Sequence, residues 1–340
     1  MTRRVVVVVL DGLRRDLLGP DLTPNLTAFR EHAAAFPRFR SVFPSATRVV
    51  SATFATGCYP ARHGLAGNSM ALIEDGALVR HDAGQPDFLQ HRRRVTGRAL
   101  DMPTLAERLA EAGRAELFSN VSPGAAYAHD PDGFGHVHNR AGSFAPGRLP
   151  IDPLPVQLDI AGDRVKTERF VAEAVDGRRP AFAVLWLGEP DHSQHENPLG
   201  SPACRAAIAA ADRRFAAVRA AVERRRRAGE NVLLVAMSDH GHRTVTEVID
   251  VDAELAGAGL KHRPEDTDLI AVSNGTASLV YLHPSRASEA SRVADWLRTR
   301  PWVGEVLEGE ALARVGQTSA RGLACAVSMR SDDTPNLFGV

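Results

Sequence analysis

The chain has 340 residues, of which 44% are apolar and 24% charged, and its 41 Lys and Arg residues balance 41 Asp and Glu residues. This composition is typical of a globular protein, and the balance of charge provides no basic field that could hold a nucleic acid. The three cysteines, Cys58, Cys204 and Cys325, are odd in number and far apart, which argues against a disulfide framework and against a cysteine zinc site.

The first predicted element is a buried strand from Val5 to Leu10, which ends just before Asp11. Its six apolar residues are fewer than the roughly 7–15 of a signal-peptide core. No stretch of the sequence reaches the roughly 18 apolar residues that a membrane-spanning helix needs. We therefore expect a cytoplasmic protein with no membrane partner.

Two later apolar runs, Phe182 to Leu187 and Val232 to Met237, also end just before acidic residues. Continuous apolar runs of this length are typical of strands that are buried on both faces of a parallel sheet. The other predicted elements are helices at 104–112, 165–175, 203–227 and 287–299 and strands at 277–282 and 324–329. The alternation predicts an α/β fold with a doubly wound, mostly parallel sheet sandwiched by helices.

The sequence between residues 64 and 155 is less regular, because Gly, Pro, Asp and His are frequent there and few helical or strand periodicities are clear. At about 150 residues per domain, the length allows either two domains or one large domain with an insertion. We predict a single catalytic domain over residues 1–340, with a cap or excursion, together with part of the core, at 64–155.

Acidic residues and histidines follow the three apolar runs. Asp11 follows the first, Asp191 and His195 follow the second, and Asp239-His240 follows the third. A single Asp in such a position often caps the next helix. Three strand-end acids, two of them with a histidine partner, instead favour a centre for zinc or another borderline divalent ion, because carboxylate oxygen and imidazole nitrogen are its preferred ligands.

A hydroxyl-rich stretch from Phe43 to Gly64 carries the other chemical signal. Helix capping explains Ser45, Thr47, Ser51 and Thr53 when each is considered alone. A hydroxyl at a helix start that faces metal ions would instead be an activated nucleophile, since the ion lowers its pKa and the helix N-terminus favours an anion.

Four motifs in order resemble the alkaline phosphatase superfamily, and within it the nucleotide pyrophosphatase/phosphodiesterase branch. They are Leu10-Asp11-Gly12-Leu13, the Pro44 to Gly64 stretch, Glu189-Pro190-Asp191 with His195, and Ser238-Asp239-His240-Gly241. The resemblance implies an alkaline phosphatase-like α/β domain with two divalent metal ions, zinc or alternatively manganese. It also implies a Thr or Ser that forms a covalent phosphoryl or nucleotidyl intermediate.

Counting back from Thr56-Gly57, the resemblance implies that Thr47 is the nucleophile. The implied ligands are Asp11, Thr47, Asp239 and His240 for one ion, and Asp191, His195 and a further histidine for the other.

The chain departs from the family pattern in two places. Val50 stands where relatives commonly have an Asn that helps to hold a phosphoryl oxygen, a role for which Ser51 or a backbone amide could substitute. The last histidine of the second metal normally lies near the family's C-terminus, whereas this chain ends at Phe338-Gly339-Val340. Either the sequence is truncated or another residue fills the place, and the available histidines are His136, His138, His242 and His283.

The resulting hypothesis is a metal-dependent hydrolase of phosphate diesters or pyrophosphates that acts on a small phosphorus-containing substrate. The alternatives are a phosphonate hydrolase of the phosphonoacetate type, a phosphomonoesterase, and a degenerate binding protein without activity. Cys58-Tyr59-Pro60-Ala61-Arg62 superficially matches the Cys-x-Pro-x-Arg core of sulfatases. A sulfatase is disfavoured because Cys58 follows Thr56-Gly57, whereas the sulfatase cysteine precedes the corresponding pair.

Overall fold

The computed structural model describes residues 3–263 and 265–340. Its strands are β1 (Arg3–Leu10), β2 (Ser69–Glu74), β3 (Ala77–Asp82), β4 (Ala115–Ser119), β5 (His136–His138), β6 (Ser143–Ala145), β7 (Leu149–Ile151), β8 (Phe182–Leu187), β9 (Asn231–Met237), β10 (Leu269–Ser273), β11 (Ala277–Leu282), β12 (Val303–Glu308) and β13 (Leu323–Met329).

The α-helices are α1 (Pro24–Arg30), α2 (Thr47–Thr56), α3 (Pro60–His63), α4 (Phe88–Thr96), α5 (Leu105–Arg108), α6 (Pro123–Tyr127), α7 (Ile160–Phe170), α8 (Asp191–Glu196), α9 (Pro202–Arg227), α10 (Val251–Gly257) and α11 (Ala290–Arg298). A π-helical segment, Val171–Arg178, continues α7. Short 3-10 helices lie at Arg15–Leu17, Pro146–Arg148, Pro284–Glu289, Gly309–Val315 and Ala320–Gly322. Within the described ranges, no helix is long and apolar enough to cross a bilayer.

The main sheet has seven strands in the order β7-β6-β5-β4-β8-β1-β9. Strands β5, β4, β8, β1 and β9 run parallel, whereas β6 and β7 are antiparallel additions at one edge. Helices cover both faces, and the predicted α/β fold with a mostly parallel sheet is confirmed.

Strand β1 shows why both faces must be covered. Val6, Val8 and Leu10 belong to one hydrophobic cluster, which is packed with residues of α9 and α7, while Val7 and Val9 belong to a second cluster, which contains residues of α2. Because successive strand side chains point to opposite faces, an uninterrupted Val run places apolar groups on both sides of the sheet.

A second sheet has four antiparallel strands in the order β10-β11-β13-β12. The hairpin β2–β3 forms a separate two-stranded sheet, in which Asp75 and Gly76 make the turn with positive φ angles. The segment 64–155 therefore supplies this hairpin together with β4 to β7 of the main sheet. The segment for which we predicted a cap or excursion together with part of the core therefore contains β4, an inner strand of the main sheet.

The predicted strands match β1, β8, β9, β11 and β13, but one helix is shorter than predicted. The TLAERLAEA pattern at 104–112 predicts nine helical residues, whereas α5 spans only Leu105–Arg108. Gly113 and Arg114 both have positive φ angles and the Arg114 N–H bonds back to the Leu109 carbonyl, so the chain turns into β4 there. Tertiary pairing of β4 with β8 overrides the local periodicity.

Candidate metal centre

Three carboxylates meet beyond the carboxyl ends of adjacent parallel strands. Leu10 of β1 pairs with Leu187 of β8, and Val9 pairs with Met237 of β9, so the three strands end at the same edge. The carboxylates in question are Asp11, directly after β1, Asp191, the first residue of α8 after β8, and Asp239, two residues after β9. The topology therefore brings Asp11 together with two carboxylates that lie more than a hundred positions further along the chain, as the sequence analysis expected.

The first cluster consists of Asp11, Asp239 and His240, whose ligand atoms lie within 4.8 Å of one another. The His240 Nε2 atom lies 3.3 Å from Asp11 Oδ1 and 3.4 Å from Asp239 Oδ2. Because Asp11 and Asp239 are buried, the first cluster lies beneath the protein surface.

The second cluster consists of Asp191, His195 and His242. His195 lies one helical turn after Asp191 on α8, and its Nε2 atom is 3.4 Å from Asp191 Oδ1. His242 approaches the same oxygen from the loop after β9, with an Nε2 to Oδ1 distance of 2.7 Å. His242 therefore joins this cluster as a second imidazole, and the sequence analysis expected a further histidine there.

The other three histidines considered for this place lie elsewhere. His138 is buried beside Glu116, and His136 stacks on His138 with ring centroids 6.1 Å apart. The His283 ring bonds to Ser285, two residues further along the chain. Among the four candidates, His242 alone shares a cluster with Asp191 and His195.

The two clusters are adjacent. His240 Nε2 lies 3.7 Å from Asp191 Oδ1, and the Asp191 N–H donates to the Asp11 carbonyl at 3.0 Å. The His240 and His242 rings are 5.5 Å apart. From here on, "metal centre" means both clusters together with Thr47.

Thr47 is the first residue of α2, and its hydroxyl points at the first cluster. The Oγ1 atom lies 3.0 Å from His240 Nε2 and 3.5 Å from Asp11 Oδ1. Of the hydroxyls considered in the sequence, Ser45 is exposed, and the Thr53 hydroxyl bonds to His63. The Thr47 hydroxyl therefore faces the first cluster, where the resemblance implies a nucleophile.

The start of α2 is also rich in donors. Its N-cap residue, Ala46, provides no side-chain cap, so the first backbone N–H groups are not satisfied by it. Asn68 accepts from the Arg48 N–H through Oδ1 at 2.8 Å, which fixes its amide beside Thr47. The sequence analysis missed Asn68, since its position beside Thr47 depends on the fold of the loop before β2. Val50 is buried and brings no polar group.

Gly12 shows how closely the metal centre is packed. Its φ angle is +67°, and a Cβ atom there would lie 2.8 Å from His242 Nε2 and 3.1 Å from Asp191 Cα. The Gly12 N–H donates to Asp239 Oδ1 at 3.1 Å, and its carbonyl accepts from Gln194 at 2.9 Å. Only glycine combines this conformation with this space.

The electrostatics of the metal centre favour a cation. Burial, followed by the negative charges of Asp239 and Asp191, raises the pKa of Asp11 well above its usual value. Burial disfavours a charged His240 ring, but the neighbouring carboxylates Asp239 and Asp11 raise its pKa well above the ordinary range. No Lys or Arg of the described residues pairs with these carboxylates, and Asp239 Oδ2 is buried without a hydrogen-bond partner. The donor set therefore fits divalent metal ions.

A buried network behind α8 holds the loop that carries Asp191. Asp163 of α7 accepts from the N–H groups of Gly188 and Glu189 at 3.0 and 2.9 Å and from the Asn120 amide at 2.9 Å. Burial raises the pKa of Asp163 to about 6, against these hydrogen bonds and the charge of Lys166. Sequence reasoning gave no signal for this role, because Asp163 lies just before the predicted helix at 165–175 and its partners are distant in the chain.

Cys58 lies at the opposite end of α2 from Thr47. At about 1.5 Å per residue, the ten residues of α2 separate the two side chains by about 15 Å. Cys58 is half-buried and unpaired. Its position argues against the sulfatase interpretation, as its register in the sequence did.

Comparison with known proteins identifies a protein family and a relative that this chain resembles. The family model for type I phosphodiesterase / nucleotide pyrophosphatase matches residues 5–314. An uncharacterized pyrophosphatase/phosphodiesterase of Schizosaccharomyces pombe is 40% identical over 65 residues, which are 19% of this chain and 13% of that protein.

Solved structures share the fold at low sequence identity. Phosphonoacetate hydrolase from Sinorhizobium meliloti, in complex with phosphonoacetate, superposes with a TM-score of 0.67 at 19% identity, covering 97% of this chain and 81% of that one. An inactive variant of murine ectonucleotide pyrophosphatase/phosphodiesterase 5, in complex with AMP, gives 0.66 at 18% identity, covering 96% and 78%. The human form of that enzyme gives 0.65 at 16% identity with the same coverage.

Proposed function

This chain belongs to the type I phosphodiesterase / nucleotide pyrophosphatase family, and we propose that it is a metal-dependent hydrolase of phosphate diesters or pyrophosphates with Thr47 as its nucleophile. The observation that carries the proposal is the position of the Thr47 hydroxyl, 3.0 Å from His240 Nε2 at the start of α2 and directed at the carboxylate cluster. A hydroxyl that only capped a helix would bond to backbone N–H groups within its first turn.

Two divalent ions, zinc or alternatively manganese, would be held by the residues of the metal centre. Asp11, Thr47, Asp239 and His240 would hold one ion, and Asp191, His195 and His242 would hold the other. When bound, the ions supply positive charge that stabilises the ionised hydroxyl and the oxygens on phosphorus. The choice of His242 rests on its 2.7 Å approach to Asp191.

The chain's own part in the reaction begins with Thr47. Its hydroxyl gives its proton to water and its oxygen attacks phosphorus, so that a new Oγ1–P bond forms and the bond from phosphorus to the leaving group breaks. The leaving group departs with the bonding electrons and takes a proton from water. A water molecule then attacks phosphorus and the Oγ1–P bond breaks. The water oxygen stays on the released phosphate product, and a proton from the water restores the threonine hydroxyl.

Donors at the start of α2 would bind the oxygens on phosphorus. The backbone N–H groups of the first turn other than that of Arg48, together with the positive end of the helix dipole, suit an anion. The Asn68 amide is oriented by the bond between its Oδ1 atom and Arg48 N–H, which leaves Nδ2 to donate. These donors would take the role of the Asn that relatives commonly have at the position of Val50. Pre-oriented donors of this kind stabilise the charge that develops in the transition state.

The reaction class can be tested by assaying four substrates side by side with the metal-loaded protein: an aryl ester of a nucleoside monophosphate, an aryl phosphate monoester, an aryl sulfate and phosphonoacetate. We expect the diester to be hydrolysed fastest. Preference for phosphonoacetate or for the monoester would support one of the alternative hydrolases. Faster hydrolysis of the sulfate than of every phosphorus compound, or no turnover of any substrate, would contradict the proposal.

A further inference from the structure

A second group of metal-ligating side chains lies outside the metal centre. Glu74 ends β2, His81 lies on β3 of the same hairpin, and His91 lies on α4. Their ligand atoms lie within 4.8 Å of one another. Three separate elements therefore direct one carboxylate and two imidazoles at a common point.

The three side chains converge on a single oxygen atom. His81 Nε2 lies 2.5 Å from Glu74 Oε1, and His91 Nε2 lies 2.9 Å from the same atom. The two rings are 4.7 Å apart. Zinc binds imidazole nitrogen and carboxylate oxygen at about 2.0–2.2 Å, so small side-chain rotations would admit an ion between these atoms.

The charge around Glu74 differs from that of a comparable cluster elsewhere in the chain. Glu116, His138 and Glu173 also converge, but the Arg178 guanidinium already bonds to both of those carboxylates. Within the described ranges, the ion-pair partners of Glu74 are the two histidines alone. With neutral rings, the Glu74 cluster therefore has a negative charge and no resident Lys or Arg to balance it.

We propose that Glu74, His81 and His91 bind a divalent cation of the zinc class, separately from the metal centre. The ligand set of two imidazoles and one carboxylate suits zinc and leaves a fourth position for water. Water can reach it, because the three side chains are between 19 and 29% exposed. Both rings would bind the ion through Nε2, the atom that faces Glu74, with the proton on Nδ1.

Such an ion would fasten the β2–β3 hairpin to α4. The same hairpin contains Asp82, which pairs with Arg48 at 3.2 Å, next to Thr47. The cation site would therefore stabilise the segment that surrounds the start of α2 without contacting the metal centre. None of its three ligands belongs to either cluster of the metal centre.

Cobalt titration can isolate this site. The background protein carries Asp191→Asn and Asp239→Asn, which remove ligands from both clusters of the metal centre. We expect the background protein to bind one equivalent of cobalt, with the visible absorption of a nitrogen- and oxygen-ligated ion. Adding Glu74→Gln or His91→Gln should abolish that equivalent, whereas His32→Gln, at an exposed position, should leave it unchanged.

Glu74→Gln is the sharper variant, because the glutamine oxygen can still accept from both rings while the negative charge is lost. The same comparison in the otherwise unaltered chain should show one zinc fewer per molecule after dialysis. The proposal is overturned if the background protein binds no cobalt, or if Glu74→Gln and His91→Gln bind as much as the background does. Activity does not enter this test, so its outcome is separate from the fate of the proposed hydrolase function.

Discussion

The indole of Trp186 donates a hydrogen bond to the carboxylate of Asp11, with 2.8 Å between Nε1 and Oδ2. Trp186 is fully buried in β8, next to β1 in the sheet, and its ring packs against Phe54 of α2. One oxygen of Asp11 is thereby fixed, while the other faces Thr47 and His240. The core side chain of one strand thus orients a proposed ligand on the next.

Replacing Trp186 with Phe should weaken the metal centre while keeping most of the packing. The variant leaves Asp11 Oδ2 without its donor, and loss of such an outer hydrogen bond typically costs about 10–100-fold in metal affinity or activity. Metal affinity by chelator competition and kcat should both fall by at least about tenfold. Trp296→Phe, on the half-buried surface of α11, is the matched control and should leave both values within twofold. Equal behaviour of the two variants would contradict this role.

His242 should prove to be a ligand of the second ion. With His242→Gln, the cluster keeps only Asp191 and His195, and a zinc site normally draws on three or four ligands. In a Glu74→Gln background, which lacks the separate cation site, we expect one of the two zinc ions of the metal centre to be lost on dialysis, and activity to depend on added zinc. His283→Gln is the control and should retain both ions, since that ring lies outside both clusters. Two ions held tightly by the metal centre of His242→Gln in that background would show that another group fills the place.

Asp163→Asn should affect both stability and catalysis. The amide would place a donor against backbone N–H groups that now donate to the carboxylate, so buried hydrogen bonds are lost at about 1–3 kcal/mol each. The free energy of unfolding should fall by about 3 kcal/mol, and kcat should fall because the loop before Asp191 loses its anchor. Glu168→Gln, exposed on the same helix, is the control. Wild-type stability and kcat in Asp163→Asn would refute the anchoring role.

The contribution of two buried histidines to stability should decrease as the pH falls below about 6.5. Burial lowers the pKa of His129 to about 3, and burial together with the charges of Arg92 and Arg321 lowers the pKa of His63 to about 3. Both rings are neutral when folded but take up protons at about pH 6.5 when unfolded, so their contribution is complete above that pH and is lost between 6.5 and 3. Each accounts for up to about 1.4 kcal/mol per pH unit.

Urea unfolding at pH 7, 5.5 and 4.5 measures this effect. His129→Phe keeps the aromatic contacts with Phe54 and Trp186 but removes the titrating ring, and should flatten the decline by about one proton. The exposed His32→Gln should not change the slope. An identical decline in wild type and His129→Phe would show that this ring is not the cause.

The sequence predicted the centre of the fold well because the buried strands leave an unambiguous pattern. The apolar side chains of the Val5 to Leu10 run can be buried only between two apolar layers. The carboxyl end of this strand places Asp11 beside the acids that follow β8 and β9. The parallel topology thus converts three separate motifs into one cluster. The length of α5 could not be predicted in the same way, because its end is determined by pairing of β4 rather than by its own residues.

Residues that act through long-range contacts left no local signal. His242 follows a recognised motif by one position, yet only the approach of α8 singles it out from the other histidines. Trp186 looks like a core residue in the sequence and Asp163 lies outside every predicted element, and their roles depend on partners that are far away in the chain. Asn68 similarly depends on how the loop before β2 returns to α2.

The nucleophile can be identified directly by acid quenching during turnover of an aryl ester of a nucleoside monophosphate, followed by peptide mass spectrometry. We predict a nucleotidyl adduct on Thr47, no adduct and no turnover in Thr47→Ala, and a normal rate in the exposed control Ser45→Ala. Because zinc binding should survive largely intact in Thr47→Ala, loss of activity there would not reflect loss of the metal centre. Turnover by Thr47→Ala within tenfold of wild type, or an adduct on another residue, would contradict the account.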